Sequence, residues 1–472
     1  MSIFGKSNFS FLKTIVKRFR KSNPDVPLLK QPLLGLFLRH KPLRRKVFGH
    51  FLLMRLAIIL ALNMQATIVA YYVYRLSFDP ATGKGDALVL GLTGLWEVIP
   101  AIGFSLFSGH FVDLAEKKGM ALKGILGYFL LGVFFYSLTF IEHTHAMSNA
   151  GIIRLAYVGI FVGGAIRAFL SPAIFALFGL ILPRNQYARA TTWSSAAWQV
   201  GFVIGPLLAG SLIAFGGFGM SMIVTLIIEA ISLFACVLIP RQKVIVKDQK
   251  EPIFKSLSEG VRFVFKTQLV LATLSLDMFA VLFGGAVALL PVYADEILKV
   301  GEIGFGWMRA APGIGSILML FILSARPLKK SPGIKLYLAI IGFGITTILF
   351  GLCGDIASIK PLFTLFGCPI SAGFVLALAM LFLGGVFDSV SVVIRSTVLQ
   401  LHTPDEMRGR VAAVNTMFIS SSNELGGMES GLTAKLMGTV PAVVFGGVMT
   451  VAVVGVTYFV APSLKKIKLE TT

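Results

Sequence analysis

The sequence predicts an all-α integral membrane protein with about twelve transmembrane helices arranged as two pseudo-symmetric six-helix halves. Of the 472 residues 56% are hydrophobic and only 14% are charged, and the mean hydropathy is +0.83. That is far more apolar surface than a water-soluble domain can bury. The apolar residues form long runs rather than ten-residue alternating segments, and lipid, which offers the backbone no hydrogen bonds, then calls for helices and not a β-barrel. The 43 Lys and Arg, against 22 Asp and Glu, collect in the gaps between runs and at the two ends. A formal charge of +21 distributed this way is an orientation signal, not a nucleic-acid surface.

The elements follow in order. Residues 1–47 form a basic arm in which twelve Lys and Arg, from Lys6 to Lys46, face the single acid Asp25. Such an arm stays in the cytoplasm and rests on anionic headgroups. Spans are expected at 48–75, 87–110, 119–141, 152–182, 190–215, 217–239, 267–294, 303–325, 333–353, 371–401, 409–436 and 441–462. The first begins too late and runs too long for a signal peptide. The even-numbered gaps carry Lys117, Lys118, Arg184, Arg189, Arg241, Arg326, Arg408 and Arg410, whereas the odd-numbered gaps carry Asp79, Asp86, Glu142, Asp295, Glu296 and Asp355. This asymmetry puts both termini inside. The polar stretch 240–266 divides a half at 48–239 from a half at 267–463, with a cytoplasmic tail at 464–472.

The halves repeat one another. Gly94, Pro100 and Gly103 fall on Gly306, Pro312 and Gly315 at an offset of 212, and Gly163-Gly164, Pro183 and Arg189 fall on Gly384-Gly385, Pro404 and Arg410 at 221. Gly205 and Gly210 continue that second series onto Gly426 and Gly431. Ordered series that include two prolines point to a duplicated six-helix unit.

Between the second and third runs stand Gly109, Asp113, Lys117 and Lys118. This spacing resembles the loop between the second and third helices of major facilitator superfamily transporters. The match departs from the family at Leu114, where Arg or Lys is usual, and at Glu116, where Gly is usual. Ser171-Pro172-Ala173, Leu182-Pro183-Arg184 and Gly205-Pro206 with Gly210 resemble the fourth and fifth helices of the bacterial subgroup of enterobactin-exporter-like and multidrug efflux carriers. Thr403-Pro404-Asp405-Glu406-Met407-Arg408-Gly409-Arg410 resembles the approach to that subgroup's eleventh helix. Gly201, Gly205 and Pro206 are similar to the fifth-helix element of drug/proton antiporters, though Gly and Pro also serve packing in membrane helices.

The resemblance implies a secondary active transporter of the bacterial inner membrane, monomeric and without cofactor. It would export a small amphipathic compound, drug-like or siderophore-like, by proton-coupled alternating access. A lipid or metabolite transporter of the same fold and a transport-inactive sensor are the rival readings. The family's first, fourth, seventh and tenth helices line the cavity, which would put Asn63, Gln65, Arg167, Asp277, Asp388 and Arg395 on its wall. The inner gate would join Asp113 to Arg408 or Arg410.

Charges inside hydrocarbon are costly and mark function. Besides the cavity residues they include Glu97, Arg309, Glu229, Glu424 and Glu429. The repeat pairs Glu97 with Arg309 and Arg167 with Asp388, equivalent positions of opposite charge. Asp277 or Asp388 is the expected proton-responsive acid, with Arg167 as its competing partner or as an anion holder. A permanent structural pair between Arg167 and Asp388 is the alternative. Glu229, on a peripheral sixth helix, reads as structural or lipid-edge, and Glu424 and Glu429 stay open between proton site and packing. Enzyme chemistry is not expected: the six histidines sit in or near loops, His143 and His145 make a weak metal pair, and no nucleotide-binding glycine loop is present. Cys353 and Cys368 flank one outer loop, where a disulfide could form, while all three cysteines read as small apolar residues.

Overall fold

The computed structural model describes residues 46–79, 81, 84–181, 187–241, 253–325, 331–356, 360–365, 368–404 and 407–466. The basic arm before Lys46, the tail after Lys466, Pro183, Arg184, Asp405 and Glu406 lie outside them. The first four helices are α1 (Lys46–Leu76), α2 (Ala87–Leu114), α3 (Lys117–His143) and α4 (Asn149–Ile181). A single helical stretch, Tyr187–Val237, comes next. Its 51 residues would measure about 77 Å, more than twice the hydrocarbon core of ~30 Å. Gly217, at φ 71° and ψ −175°, breaks it into α5 (187–216) and α6 (218–237).

An amphipathic linker helix, Ile253–Lys266, leads to the second half. There α7 begins as Gln268–Phe283 and continues through a tight turn at Ala286–Leu289 to a π-helical turn at Tyr293–Ile297. It is followed by α8 (Gly301–Ala325), α9 (Pro332–Gly351), the antiparallel hairpin of β1 (Pro361–Leu365) and β2 (Cys368–Ser371), α10 (Ala372–His402), α11 (Arg408–Met437) and α12 (Thr439–Val460). Among the described residues ten helices are long and apolar enough to cross a membrane, and the α5–α6 stretch counts as one of them. The remaining crossing, α11, falls below that measure because it carries Arg408, Arg410, Asn415, Asn423, Glu424, Glu429 and Lys435.

Glycines set the crossings, and the repeat is visible in them. A Cβ on Gly164 of α4 would lie 2.8 Å from Pro100 of α2, and one on Gly385 of α10 would collide with the carbonyl of Pro312 in α8. The same exchange joins the halves. Gly91 of α2 lies against Gly427 and Gly431 of α11, and Gly306 of α8 lies against Gly210 and the Pro206 carbonyl of α5. Backbones this close leave room for no side chain.

The end opposite the linker is latched across the halves. The Tyr71 hydroxyl of α1 donates to Asp295 Oδ1 at 2.6 Å, and that of Tyr74 donates to Glu296 Oε1 at 2.8 Å. The Gly85 N–H donates to the same glutamate oxygen at 3.0 Å, Arg75 Nη1 stands 3.8 Å from Asp295 Oδ2, and the Tyr71 ring stacks on Phe305 of α8 at 5.3 Å. The π-helical turn widens α7 where both acids leave it, as such bulges often do at functional positions. The three cysteines are free and buried, so Cys353 and Cys368 form no disulfide.

Two measurements check these contacts. Gly385→Val should destabilise the purified protein by about 1–3 kcal/mol through overpacking, whereas Gly103→Ala, with nothing within 4 Å of its Cβ, should leave the melting temperature unchanged. Equal melting temperatures for the two variants would contradict the α8–α10 crossing. Tyr71→Phe combined with Tyr74→Phe removes two charge-assisted hydrogen bonds of roughly 1.5–3 kcal/mol each. Amide exchange across 71–76 and 293–301 should then speed up by at least tenfold, and wild-type protection there would rule out the latch.

Candidate functional site

Gly164 brings α4 onto α2, while Gly163 faces α3, and one turn later Arg167 meets Glu97, three residues before the Pro100 that fixes the crossing. Arg167 Nη1 donates to Glu97 Oε1 at 2.5 Å. The same nitrogen is 3.9 Å from Glu424 Oε1 of α11, in the other half. Arg309 of α8 lies near enough for both Glu97 and Glu424 to act on its guanidinium. Two carboxylates and the Arg167 guanidinium, from three helices and both halves, therefore meet near mid-length of the spans, with Arg309 of a fourth helix within electrostatic reach. The side chains of Arg167, Glu97 and Glu424 are 55%, 30% and 22% exposed there, so they border open space between the halves. Charge-assisted bonds of this kind are strong and directional, and a cavity lined by them can hold a polar or charged group of a ligand.

A second ion pair is closed. Asp277 of α7 and Arg395 of α10 form a salt bridge with both side chains under 9% exposed, and Ser391 Oγ donates to Asp277 Oδ1 at 3.4 Å. Arg167 and Asp388, equivalent in the repeat, are not joined: Arg167 is held by Glu97, and Asp388 is half-buried with no hydrogen bond or ion pair among the described residues. Asn63 Nδ2 bonds its own helix at Ile59 O (2.8 Å), under the crossing of Gly205. Gln65 is buried, and neither of its amide atoms has a partner among the described residues. Asn63 is half-buried, as Glu97 and Glu424 are. Glu429 is half-buried and receives a hydrogen bond from Ser430 Oγ at 3.5 Å.

The glycines Gly201, Gly205 and Gly210 are all contact points, the first two against Ile59, Leu60 and Asn63 of α1 and the third against Glu302 and Gly306 of α8. Of the loop motif, Lys117 donates to Val112 O at 2.5 Å and Lys118 to Val237 O at 2.9 Å. Each lysine thus neutralises carbonyls at the C-terminal end of a helix, α2 and α6 respectively. Arg410 pairs with Glu259 of the linker helix. The side chains of Gly109, Asp113 and Arg408 lie outside the described part, and with them the expected gate pairing. Glu229 is fully buried rather than at the lipid edge. Its carboxylate lies against Gly132 of α3 and has no partner among the described residues.

Sequence reasoning missed the Tyr71, Tyr74, Asp295 and Glu296 latch. The signal was present in the tyrosines at 71, 72 and 74 closing the first run and in the acid pair closing the seventh.

A sequence profile described as the Major Facilitator Superfamily matches residues 51–380. An enterobactin exporter of Shigella boydii serotype 18 is 23% identical over 327 residues, covering 67% of this chain and 71% of the relative. One from Escherichia coli is 22% identical over 354 residues, 74% of each. Among solved structures, a POT family transporter in complex with 5-aminolevulinic acid superposes with a TM-score of 0.67 at 12% identity, covering 88% of this chain and 96% of the other. A bacterial homologue of the iron transporter ferroportin in an inward-facing state superposes with a TM-score of 0.64 at 13% identity, covering 93% and 100%. With helices α1–α12 among its described residues and this match over most of its length, the chain belongs to the Major Facilitator Superfamily and is a secondary transporter of small molecules across a membrane.

Proposed function

We propose that the protein exports a small amphipathic compound, drug-like or siderophore-like, from the bacterial cytoplasm in exchange for protons. The observation that carries this reading is the position of Arg167 between two glutamates, Glu97 on its own half and Glu424 on the other. When the halves rock, the bond to Glu97 travels with the first half while the 3.9 Å approach to Glu424 opens. A carboxylate that loses its guanidinium partner once per cycle is set up to take a proton at one stage and release it at another. Asp277, clamped by Arg395 inside the second half, lacks that freedom and reads as structural.

The half-exposed Arg167 guanidinium offers a hydrogen-bond fork to an acidic or phenolic ligand group. Trp198 stacked on Phe202 at 5.1 Å supplies aromatic surface on α5. The similarity to enterobactin exporters agrees with a ligand of that kind and with export. In this reading the latched end faces outside, and the linker and both termini face the cytoplasm.

Proteoliposomes with an imposed pH gradient test the assignment. Glu424→Gln should lower gradient-driven accumulation at least tenfold and spare downhill exchange, whereas Asp277→Asn, which strands a buried Arg395, should cost about 3–5 kcal/mol of stability and reduce folded yield. Full pH-driven transport by Glu424→Gln would remove it from the coupling role. Orientation is checked in intact cells. A cysteine at exposed Ala81 should react with an impermeant reagent, and one at exposed Arg262 should not; the reverse pattern would invert the topology.

A further inference from the structure

Over residues 258–266 the linker helix presents three sectors. Gly260 and Val264 face the bundle: a Cβ on Gly260 would lie 3.0 Å from the Arg410 backbone, and Val264, fully buried, packs with Val270, Leu274, Leu399, Val411 and Val414. Glu259 at the edge of this face pairs with Arg410, so the helix is fastened to the first turn of α11. Val261 and Phe265, four residues apart, form an exposed apolar stripe, with the Phe265 side 60% open. Arg262 and Lys266, also four apart, form an exposed basic stripe beside it.

The geometry points to this helix as a binding surface for anionic phospholipid of the leaflet it adjoins. Only Thr267 separates Lys266 from Gln268, where α7 starts across the bilayer, so the exposed stripes end at the depth of the headgroups. An aromatic and a branched side chain open to water on one stripe are unfavourable, but they gain by insertion at the headgroup and acyl boundary, the habit of interfacial helices. The neighbouring guanidinium and ammonium then lie level with the phosphates, each worth roughly a fivefold preference for an anionic over a zwitterionic surface. Through Glu259 and Arg410 the bound headgroups would be tied to the end of α11, the helix that also brings Glu424 to Arg167. The surface does not depend on what the carrier transports.

The test uses the full chain with one added cysteine. The three native cysteines are buried, so Val261→Cys can be labelled selectively with an environment-sensitive fluorophore. The protein is placed in nanodiscs containing phosphatidylglycerol or phosphatidylcholine with brominated acyl chains at equal mole fraction. Expected is quenching by both lipids, at least fivefold stronger for phosphatidylglycerol at low salt. That preference should fall in Arg262→Gln and in Lys266→Gln singly and vanish in the double variant. Absence of quenching, equal quenching by the two lipids in the unaltered basic stripe, or a preference that survives the double substitution would each overturn the proposal. So would protection of the fluorophore by a second copy of the chain, shown by cross-linking between labelled protomers.

Discussion

Hydrocarbon offers neither hydrogen bonds nor countercharges, and the placement of the two arginines paired inside the spans follows from that lack. Arg167 is shared by Glu97 and Glu424, and Asp277 is taken by Arg395. Side chains as short as Glu and Asp reach such partners only if the helices run close, and closeness requires glycine at the crossing. Gly164 stands one turn before Arg167, so the residue that permits the approach of α4 to α2 and the one that exploits it come as adjacent units of sequence.

The same device serves two mechanical roles. Within a half, Gly164 seats against Pro100 and Gly385 against Pro312, where a ring and a kinked backbone fill the contact and fix it. Between halves, Gly91 meets Gly431 and Gly210 meets Gly306, backbone on backbone with no interlocking side chain. Surfaces of that kind can slide with little loss of packing, the requirement for shear between rigid bodies. Specific bonds at the end of the seam, from Tyr71 and Tyr74 to Asp295 and Glu296, supply the hold that smooth glycine surfaces lack.

Composition and periodicity made the helices legible, because lipid allows few alternatives, and the loop glycines and basic gaps marked where the helices turn. The repeat offsets were legible as well, and the structure uses them: Gly164 and Gly385 make equivalent contacts on Pro100 and Pro312. The sequence identified the charged residues of the site but not who bonds whom. Pairing by repeat equivalence set Arg167 beside Asp388, yet equivalent positions lie on opposite sides of the pseudo-twofold axis, and contact requires neighbours rather than equivalents. Glu97 is such a neighbour through the α2–α4 crossing, and Glu424 becomes one only because α11 packs on α2. No periodicity within one helix encodes an interhelical meeting of that kind.

Opposite charges at equivalent positions also make the two halves unequal. In the first half Arg167 has Glu97 within its own bundle, so it is compensated whichever way the halves tilt. In the second half the equivalents are Arg309 and Asp388, and Arg309 is instead influenced by Glu97 and Glu424, while Asp388 has no ion-pair partner among the described residues. Each half thus keeps a countercharge of its own, Glu97 beside Arg167 in the first and Glu424 within electrostatic reach of Arg309 in the second. A tilt that parts α11 from α2 takes from Glu424 its 3.9 Å approach to Arg167 and leaves it Arg309 of its own half. Movement therefore changes the charges that surround Glu424 while the bond between Arg167 and Glu97 is kept.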